Sequence, residues 1–305
     1  MILEAIIFLV GIALLVKGAD LFVGGGSGLA SRFGISAATI GFTVIAFGTS
    51  LPEFVVSVNA VAAGDPGIAL GNVLGSNIAN IALVLAICAF IRPTLVGSGG
   101  ADMTEIGLML FATALFIICA FRGVFDALAG IVMLAAFVVI LTVLWQRGGV
   151  ENDGEGIRSH GRRDILMTVG GLAAVVIGAQ FVVDGATAIA TSFGIPTIVI
   201  GLSMVAVGTS LPELATSIMA IMRREEGISV GNILGSNIFN LLFVIGVGAL
   251  IAPIPVISPA DILATALFSA AVVPLFLGGE RFTRIWSAGL LVGYAGYIAL
   301  IFNLL

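Results

Sequence analysis

The chain has 305 residues, of which 60% are hydrophobic and only 10% are charged, and its mean hydropathy is +1.24. Soluble domains carry about 25% charged residues, so this composition excludes a soluble protein and places the chain in lipid. A transmembrane β-barrel is excluded as well, because its strands alternate polar and apolar residues over about 10 positions and this sequence shows no such alternation. The net charge of −5 carries little information, since much of the acid lies beside arginines in one polar segment.

Ten long apolar segments follow one another along the chain. A helix needs about 20 apolar residues to cross a hydrocarbon core of roughly 30 Å, and each segment is long enough. The sequence therefore predicts an all-α integral membrane protein with ten transmembrane helices. The predicted spans are 3–31, 37–63, 68–91, 103–121, 124–146, 164–192, 197–222, 228–251, 260–279 and 284–304.

The arginines are distributed unequally between the two ends of these spans. Arg122 alone lies on the side of the N-terminus, and all the other arginines lie on the opposite side. Because cytoplasmic loops carry the excess of Lys and Arg, we expect a multi-pass protein of the cell membrane whose N-terminus and C-terminus both lie outside. The predicted cytoplasmic arginines are Arg32, Arg92, Arg147, Arg158, Arg162, Arg163, Arg223, Arg224, Arg281 and Arg284.

Two sequence blocks occur twice with a constant offset of 160 residues. Residues 41–53 (GFTVIAFGTSLPE) return as residues 201–213 (GLSMVAVGTSLPE), and residues 71–80 (GNVLGSNIAN) return as residues 231–240 (GNILGSNIFN). Each copy contains five spans, and because five is an odd number the second copy must enter the membrane upside down. Inverted repeats are typical of secondary transporters, whose binding sites lie near the midplane between the repeats.

One polar segment, residues 147–163, joins the two copies. The sequence thus predicts a first five-helix repeat in residues 1–146, a cytoplasmic linker in residues 147–163, and a second, inverted repeat in residues 164–305. His160, the only histidine, lies in the linker without a histidine or cysteine companion, and Cys88 and Cys119 lie apart in apolar spans. We interpret the histidine as a solvated loop residue and the cysteines as buried unpaired thiols.

Two glutamates, Glu53 and Glu213, lie in the middle of the second and seventh spans, with no lysine or arginine near them in those spans. An ionised carboxylate at this depth costs several kcal/mol unless it is paired or binds a cation. Two explanations remain: the glutamates are protonated, or they bind cations. Their occurrence at the same place in both copies favours one shared central site.

The residues before each glutamate predict an oxygen-rich environment. Pro52 removes a backbone hydrogen bond four residues back, which should free the carbonyl of Gly48, and the second copy repeats this pattern. Thr49 and Ser50 lie one turn from Glu53, so their hydroxyls approach its carboxylate on a helix. Carbonyls, hydroxyls and carboxylates together suit hard cations such as calcium and sodium.

The third and eighth spans add a second polar face. Ser76 and Asn80 are four residues apart, and Ser236 and Asn240 repeat that spacing, so each helix presents a hydroxyl and an amide together. Glycines at small-xxx-small spacing in both spans allow close helix packing. We expect them to bring this polar face against the glutamate-bearing span.

Lys17 and Asp20 are charged residues within the first span and lie three positions apart. We interpret Lys17 as a structural residue that snorkels to the interface or pairs with Asp20. The position that matches Asp20 in the second copy is Gln180, so the repeat does not preserve this pair.

The doubled GTSLPE and GSNxxN elements resemble those of the cation/calcium exchanger superfamily, and specifically of its compact prokaryotic sodium/calcium exchangers. The likeness in span number and repeat order covers essentially the whole chain. By this resemblance the ion ligands are side chains of Thr49, Ser50, Glu53, Ser76, Asn80, Thr209, Ser210, Glu213, Ser236 and Asn240, together with the carbonyls of Ala46 and Ala206.

The resemblance implies an antiporter that exchanges three sodium ions for one calcium ion by alternating access, in which the first and sixth helices slide across the other eight. We expect calcium, sodium and the lipid bilayer as partners, and neither a cofactor, nor nucleic acid, nor an obligate protein partner. Some compact members carry an aspartate at the position of Asn240. The short linker also leaves no room for the cytosolic calcium-sensing domains of animal exchangers.

Other functions remain open at this stage. Two glutamates could equally carry protons, which would suit a calcium/proton antiporter, and a potassium-dependent exchanger of the same superfamily is a further alternative. A cation channel is more distant, because its site would have to release ions rapidly. An enzyme, such as an intramembrane hydrolase, has no support, because no histidine lies in any span and no nucleophile has a nearby base.

Overall fold

The structure, a computed structural model, describes residues 2–96, 103–148, 161–193 and 208–301. These residues form an all-α fold in which one short antiparallel pair, β1 (Val124–Phe125) and β2 (Ile254–Pro255), connects two loops. The helices are α1 (Ile2–Phe33), α2 (Ala37–Thr49), α3 (Leu51–Ala62), α4 (Pro66–Ile91), α5 (Met103–Ala120), α6 (Ala127–Arg147), α7 (Arg162–Ser192), α8 (Leu211–Met222), α9 (Glu226–Ile251), α10 (Pro259–Leu277) and α11 (Glu280–Ile301).

The prediction of a multi-pass membrane protein is confirmed. Within the described ranges, eight helices are long and apolar enough to cross a membrane, and the bent pair α2 and α3 would make a ninth span. Helix α8 has 12 residues and belongs to the predicted span 197–222, part of which lies outside the described residues. The count of ten spans therefore stays a prediction.

Helices α4 and α9 occupy the centre of the bundle. In their most apolar stretches 72% and 83% of the residues are buried, compared with 11% in α11. The main hydrophobic core joins them to α5 and α6. Both central helices carry the repeated asparagine motif, so the packing of the bundle shields these asparagines from lipid, as expected where polar groups cannot face hydrocarbon.

Helices α1 and α7 pack antiparallel through glycines. A Cβ atom built at Gly18 would lie 2.7 Å from the backbone nitrogen of Val175, and one built at Gly178 would lie 2.6 Å from that of Leu15. Glycine allows this backbone contact because it has no side chain. Since the two helices occupy matching places in the two sequence copies, their opposite directions are those of an inverted repeat. The glycines recur at seven-residue spacing: Gly11, Gly18, Gly25, Gly171, Gly178 and Gly185.

The second predicted span is broken where its proline predicts. Helices α2 and α3 meet at an angle of 48°, and Ser50 lies between them with a non-helical backbone. Pro52 is in the first turn of α3, where its missing N–H needs no partner. The break directs the start of α3, with Glu53, toward the centre of the bundle.

In the described part of the chain, three stretches of π-helix interrupt the spans around this centre: Gly41–Ile45 in α2, Asn80–Leu85 in α4 and Phe239–Val244 in α9. Those in α4 and α9 begin at, or one residue before, the two repeat-related asparagines Asn80 and Asn240. A π-helical turn inserts a residue into an α-helix and is frequent at functional sites. The sequence analysis did not predict these stretches.

The charged pair expected in the first span is different in the structure. Asp20 does not rely on Lys17: its Oδ1 atom lies 2.7 Å from both Nε and Nη2 of Arg223, in the loop between α8 and α9. Ser27, two turns further along α1, donates to Oε1 of Glu225 in the same loop over 2.7 Å. Of the two interpretations of Lys17, its pairing with Asp20 is wrong, because the fold brings a distant arginine beside Asp20. Its snorkelling to the interface stays a prediction.

Candidate cation site

Two carboxylates lie at the centre of the bundle. Glu53, in the first turn of α3, and Glu213, in the first turn of α8, are both fully buried. They are close enough to interact electrostatically, and neither forms an ion pair with any described residue. Each carboxylate comes from a different sequence copy, at the position where a proline begins a helix.

Hydrogen bonding distinguishes the two carboxylates. Oε1 of Glu213 accepts a hydrogen bond from the hydroxyl of Ser50 at 2.9 Å and lies 3.5 Å from that of Ser236. Oε2 of Glu213 and both carboxylate oxygens of Glu53 have no hydrogen-bond partner among the described residues. The hydroxyl of Ser210, the counterpart of Ser50, has none there either.

The threonines that precede α3 and α8 also reach the other copy. Oγ1 of Thr49 lies 2.9 Å from Oδ1 of Asn232 and 3.4 Å from Oγ of Ser236, both on α9. Oγ1 of Thr209 lies 3.5 Å from Oγ of Ser76 on α4. Each threonine therefore lies beside the central helix of the opposite copy.

The central helices cross at their asparagines. Nδ2 of Asn80 donates to Oδ1 of Asn237 at 3.1 Å, and Nδ2 of Asn237 donates to the backbone carbonyl of Asn77 at 3.3 Å. Both polar side-chain atoms of Asn240, and Oδ1 of Asn80, are buried without a partner in the described part of the chain. The crossing thus leaves amide oxygens free beside the two carboxylates.

Unpartnered buried oxygens are concentrated in this region. Native proteins leave few buried polar atoms without a hydrogen bond, and each one costs about 1–3 kcal/mol. A hard cation would satisfy a group of acceptor oxygens without requiring any donor, and calcium takes six to eight such ligands. The oxygens at the centre that lack a partner among the described residues are Glu53 Oε1, Glu53 Oε2, Asn77 Oδ1, Asn80 Oδ1, Ser210 Oγ, Glu213 Oε2 and Asn240 Oδ1.

Most of the predicted site residues are therefore neighbours. Those that the structure places around the crossing of α4 and α9 are Ala46, Thr49, Ser50, Glu53, Ser76, Asn80, Thr209, Ser210, Glu213, Ser236 and Asn240. Ala206 lies outside the described residues. The described residues contain no cluster of three or more His, Cys, Asp or Glu side chains that could hold a metal ion. A cation at this site would therefore take most of its ligands, beside the two carboxylates, from neutral oxygens.

Two glycines of α9 allow close contact with the first copy. A Cβ atom at Gly231 would lie 2.5 Å from the carbonyl oxygen of Ala38, and one at Gly235 would lie 2.7 Å from Cα of Phe42, so α9 packs directly on α2. Gly71 and Gly75 of α4 have no described atom this close. In the second copy the glycines bring the asparagine face against the span that carries the other copy's glutamate.

Sequence analysis missed two asparagines in the same motifs. Nδ2 of Asn72 donates to Oγ of Ser57 at 3.0 Å and to the carbonyl of Glu53 at 3.2 Å. Nδ2 of Asn232 donates to Oγ of Ser217 at 3.0 Å and to the carbonyl of Glu213 at 3.4 Å. Their exact repetition at the 160-residue offset was the available signal.

Comparison with known proteins gives the same family as the doubled motifs, and the match extends along nearly the whole chain. A family model described as sodium/calcium exchanger protein matches residues 3–146 and 164–303. The putative antiporter CaxA of Alkalimonas amylolytica is 35% identical, and the match covers 99% of this chain and 100% of CaxA. The sodium/calcium exchanger MaX1 of Methanosarcina acetivorans is 30% identical, with 97% and 98% covered.

A solved structure gives the same result for the fold. The sodium-calcium exchanger NCX_Mj, soaked with 2.5 mM Na+ and 0.1 mM Ca2+, matches with a TM-score of 0.82 and 32% sequence identity, covering 98% of each chain. The resemblance drawn from the doubled motifs is thereby confirmed. This chain belongs to the sodium/calcium exchanger family, within the cation/calcium exchanger superfamily.

Proposed function

We propose that this chain is a sodium/calcium antiporter that moves calcium across the membrane in exchange for sodium, at the site formed by Glu53 and Glu213. The observation that carries this proposal is the pair of fully buried carboxylates, one from each sequence copy. Three of their four oxygens have no partner within the described residues. Such carboxylates are stable in a bilayer only when a proton or a cation neutralises them.

The ligand set supports calcium and sodium as the cations. Two carboxylates balance the double charge of one calcium ion, and the surrounding hydroxyl and amide oxygens suit both ions. Sodium in place of calcium would use more of the neutral oxygens, because three ions need more ligands in total than one ion and the two carboxylates supply only four oxygens. We take the stoichiometry of three sodium ions to one calcium ion from the family resemblance, and the many neutral oxygens are compatible with it.

Alternating access would expose this site first to one side of the membrane and then to the other. We propose that α1 and α7 slide together across the remaining helices, with residues 147–163 as a cytoplasmic linker and both termini outside. The direct backbone contact between α1 and α7 supports their movement as one body. Ion gradients supply the energy, so the cycle requires no cofactor.

Calcium uptake into proteoliposomes tests the proposal. Vesicles loaded with sodium and diluted into sodium-free medium should accumulate radioactive calcium, and an added sodium ionophore should abolish the accumulation. Matched vesicles loaded with potassium at the same pH, or carrying a pH gradient alone, should accumulate none. The Glu53→Gln variant provides the control for leakage.

The alternatives predict different results in the same vesicles. Accumulation driven by a pH gradient without sodium would contradict sodium coupling and assign the two glutamates to proton exchange. A requirement for potassium on the calcium side, where it would be transported together with calcium, would indicate a potassium-dependent exchanger. Calcium entry that continues when no countertransported ion is present would indicate a channel and overturn the antiporter.

A further inference from the structure

Asn232 contacts both sequence copies at the cation site. This fully buried side chain lies on α9. Its Nδ2 atom donates to Ser217 and to the backbone carbonyl of Glu213, both on α8, at 3.0 and 3.4 Å. Its Oδ1 atom lies 2.9 Å from Oγ1 of Thr49, the threonine of the first copy. One amide group therefore connects the helix of one carboxylate to a predicted ion ligand of the other copy.

The contact with Glu213 determines which way the amide faces. A backbone carbonyl can only accept a hydrogen bond, so the atom that faces the Glu213 carbonyl must be the NH2 group of Asn232. The amide oxygen must then face Thr49, and this oxygen can only accept. The hydroxyl of Thr49 is therefore the donor in that contact.

Thr49 has only one hydroxyl proton, and four possible acceptors lie within 3.4 Å of its oxygen, the farthest being Oγ of Ser236. Oδ1 of Asn232 is nearest at 2.9 Å, and the backbone carbonyls of Ile45 and Ala46 lie at 3.2 and 3.3 Å. The carbonyl of Ala46 already accepts the N–H of Ser50 at 3.1 Å. If Thr49 donates to Asn232, the second lone pair of the Ala46 carbonyl stays available.

We infer that Asn232 is a positioning residue for sodium, which takes the hydroxyl proton of Thr49 so that the oxygens of Thr49 and Ala46 both face a cation. This inference rests on the proposed sodium/calcium exchange. Asn232 does not bind the ion in this account, since its oxygen accepts from Thr49 and its NH2 group carries hydrogen atoms. Asn72 anchors to Ser57 and to the Glu53 carbonyl in the same way.

Removing the acceptor should redirect the Thr49 proton. In Asn232→Leu, which has nearly the same size, the hydroxyl would donate to the carbonyl of Ala46 or Ile45 instead. An ion ligand would then be occupied by a hydrogen bond. The affinity for sodium should fall more than the affinity for calcium, because calcium binding depends chiefly on the two carboxylates whereas sodium binding depends more on neutral oxygens.

The experiment measures half-saturating sodium and calcium concentrations for exchange in proteoliposomes, for wild type and four variants. We expect Asn232→Leu to raise the sodium value about tenfold, the scale of one hydrogen bond, and the calcium value less than threefold. Thr49→Val should also weaken sodium, and adding Asn232→Leu to it should have little further effect. Ser229 is a buried polar residue one turn away on α9, and Ser229→Ala serves as the control variant that should behave in the same way as wild type.

Each other outcome contradicts the inference. Additive effects of Asn232→Leu and Thr49→Val would show that Asn232 does not act through Thr49, and equal weakening of sodium and calcium would indicate general damage to the site. Calcium-dependent protection against thermal unfolding verifies that each variant is folded, and Asn232→Ser replaces the leucine variant if that one is not. If wild type shows no sodium dependence, the proposed function fails. If wild type depends on sodium and the Asn232 variants behave in the same way as wild type, only this inference fails.

Discussion

The hydroxyl of Ser50 donates a hydrogen bond to Oε1 of Glu213 over 2.9 Å, which joins the broken helix of the first copy to the carboxylate of the second. The reciprocal contact is absent from the described structure, where the hydroxyl of Ser210 and both oxygens of Glu53 have no partner. Nearly identical sequences thus have different hydrogen bonding.

This asymmetry leads to a prediction for the two serines. Ser50→Ala removes a hydrogen bond to Glu213, whereas Ser210→Ala removes a hydroxyl that has no partner among the described residues. Both changes should weaken the binding of sodium more than that of calcium. In the absence of ions, Ser50→Ala should also lower the free energy of unfolding by about 0.5–1.5 kcal/mol more than Ser210→Ala does. Exchange assays and melting curves in detergent would measure the two effects. Equal weakening of both ions would contradict separate sodium sites.

The two glutamates should be individually essential for calcium. Glu53→Gln or Glu213→Gln leaves one carboxylate to balance the double charge of calcium in a water-poor site, where such imbalance is costly. We expect calcium transport to be lost in each variant, measured as radioactive calcium uptake against empty vesicles. Conserved size and polarity make glutamine the matched replacement. Near-normal uptake by either variant would exclude the two-glutamate site.

Transport should move net charge. Exchange of three sodium ions for one calcium ion carries one positive charge per cycle, because the protein's own charge returns to its starting place. A potential of about 100 mV would bias each cycle by roughly 2.3 kcal/mol, or about fifty-fold in the calcium ratio that is reached. Potassium gradients with valinomycin would set this voltage at constant sodium and calcium. A calcium ratio independent of voltage would indicate two sodium ions per calcium ion.

The arginine distribution predicts which side of the membrane each loop faces. An impermeant thiol reagent should label a cysteine at position 155 only from the cytoplasm and a cysteine at position 65 only from outside. The native cysteines add little background, since Cys88 and Cys119 are both buried. Labelling of both positions from one side would overturn the topology, and with it the inverted arrangement in the membrane.

The ion pair between Asp20 and Arg223 should couple α1 to the loop that follows α8. Asp20→Ala and Arg223→Ala should each lower stability, and the double variant should lose little more than either one. Because both side chains are partly exposed, the coupling in a double-mutant cycle should be about 0.2–1 kcal/mol. Thermal unfolding in detergent measures it, with Lys17→Ala as the control. Purely additive losses would show that the contact contributes no stability.

The sequence alone predicted the family, the membrane-spanning helices and the chemistry of the centre. Those inferences rest on properties that each segment carries by itself: apolar length, a carboxylate in an apolar span, and a proline that must break a helix. The exact doubling of the motifs related the two halves before any contact was known. The 48° break before Glu53 shows that such a local rule survives in the folded chain.

Contacts between distant residues were decided only by the tertiary structure. Asp20 has Lys17 three positions away, yet it pairs with Arg223, because the packing of α1 determines which cation comes within reach. The seven-residue glycine pattern acquired its meaning only when α1 and α7 were seen in backbone contact. The sequence likewise repeats Ser50 as Ser210, but their different partners follow from the conformations of the two halves, which a repeated sequence by itself does not distinguish.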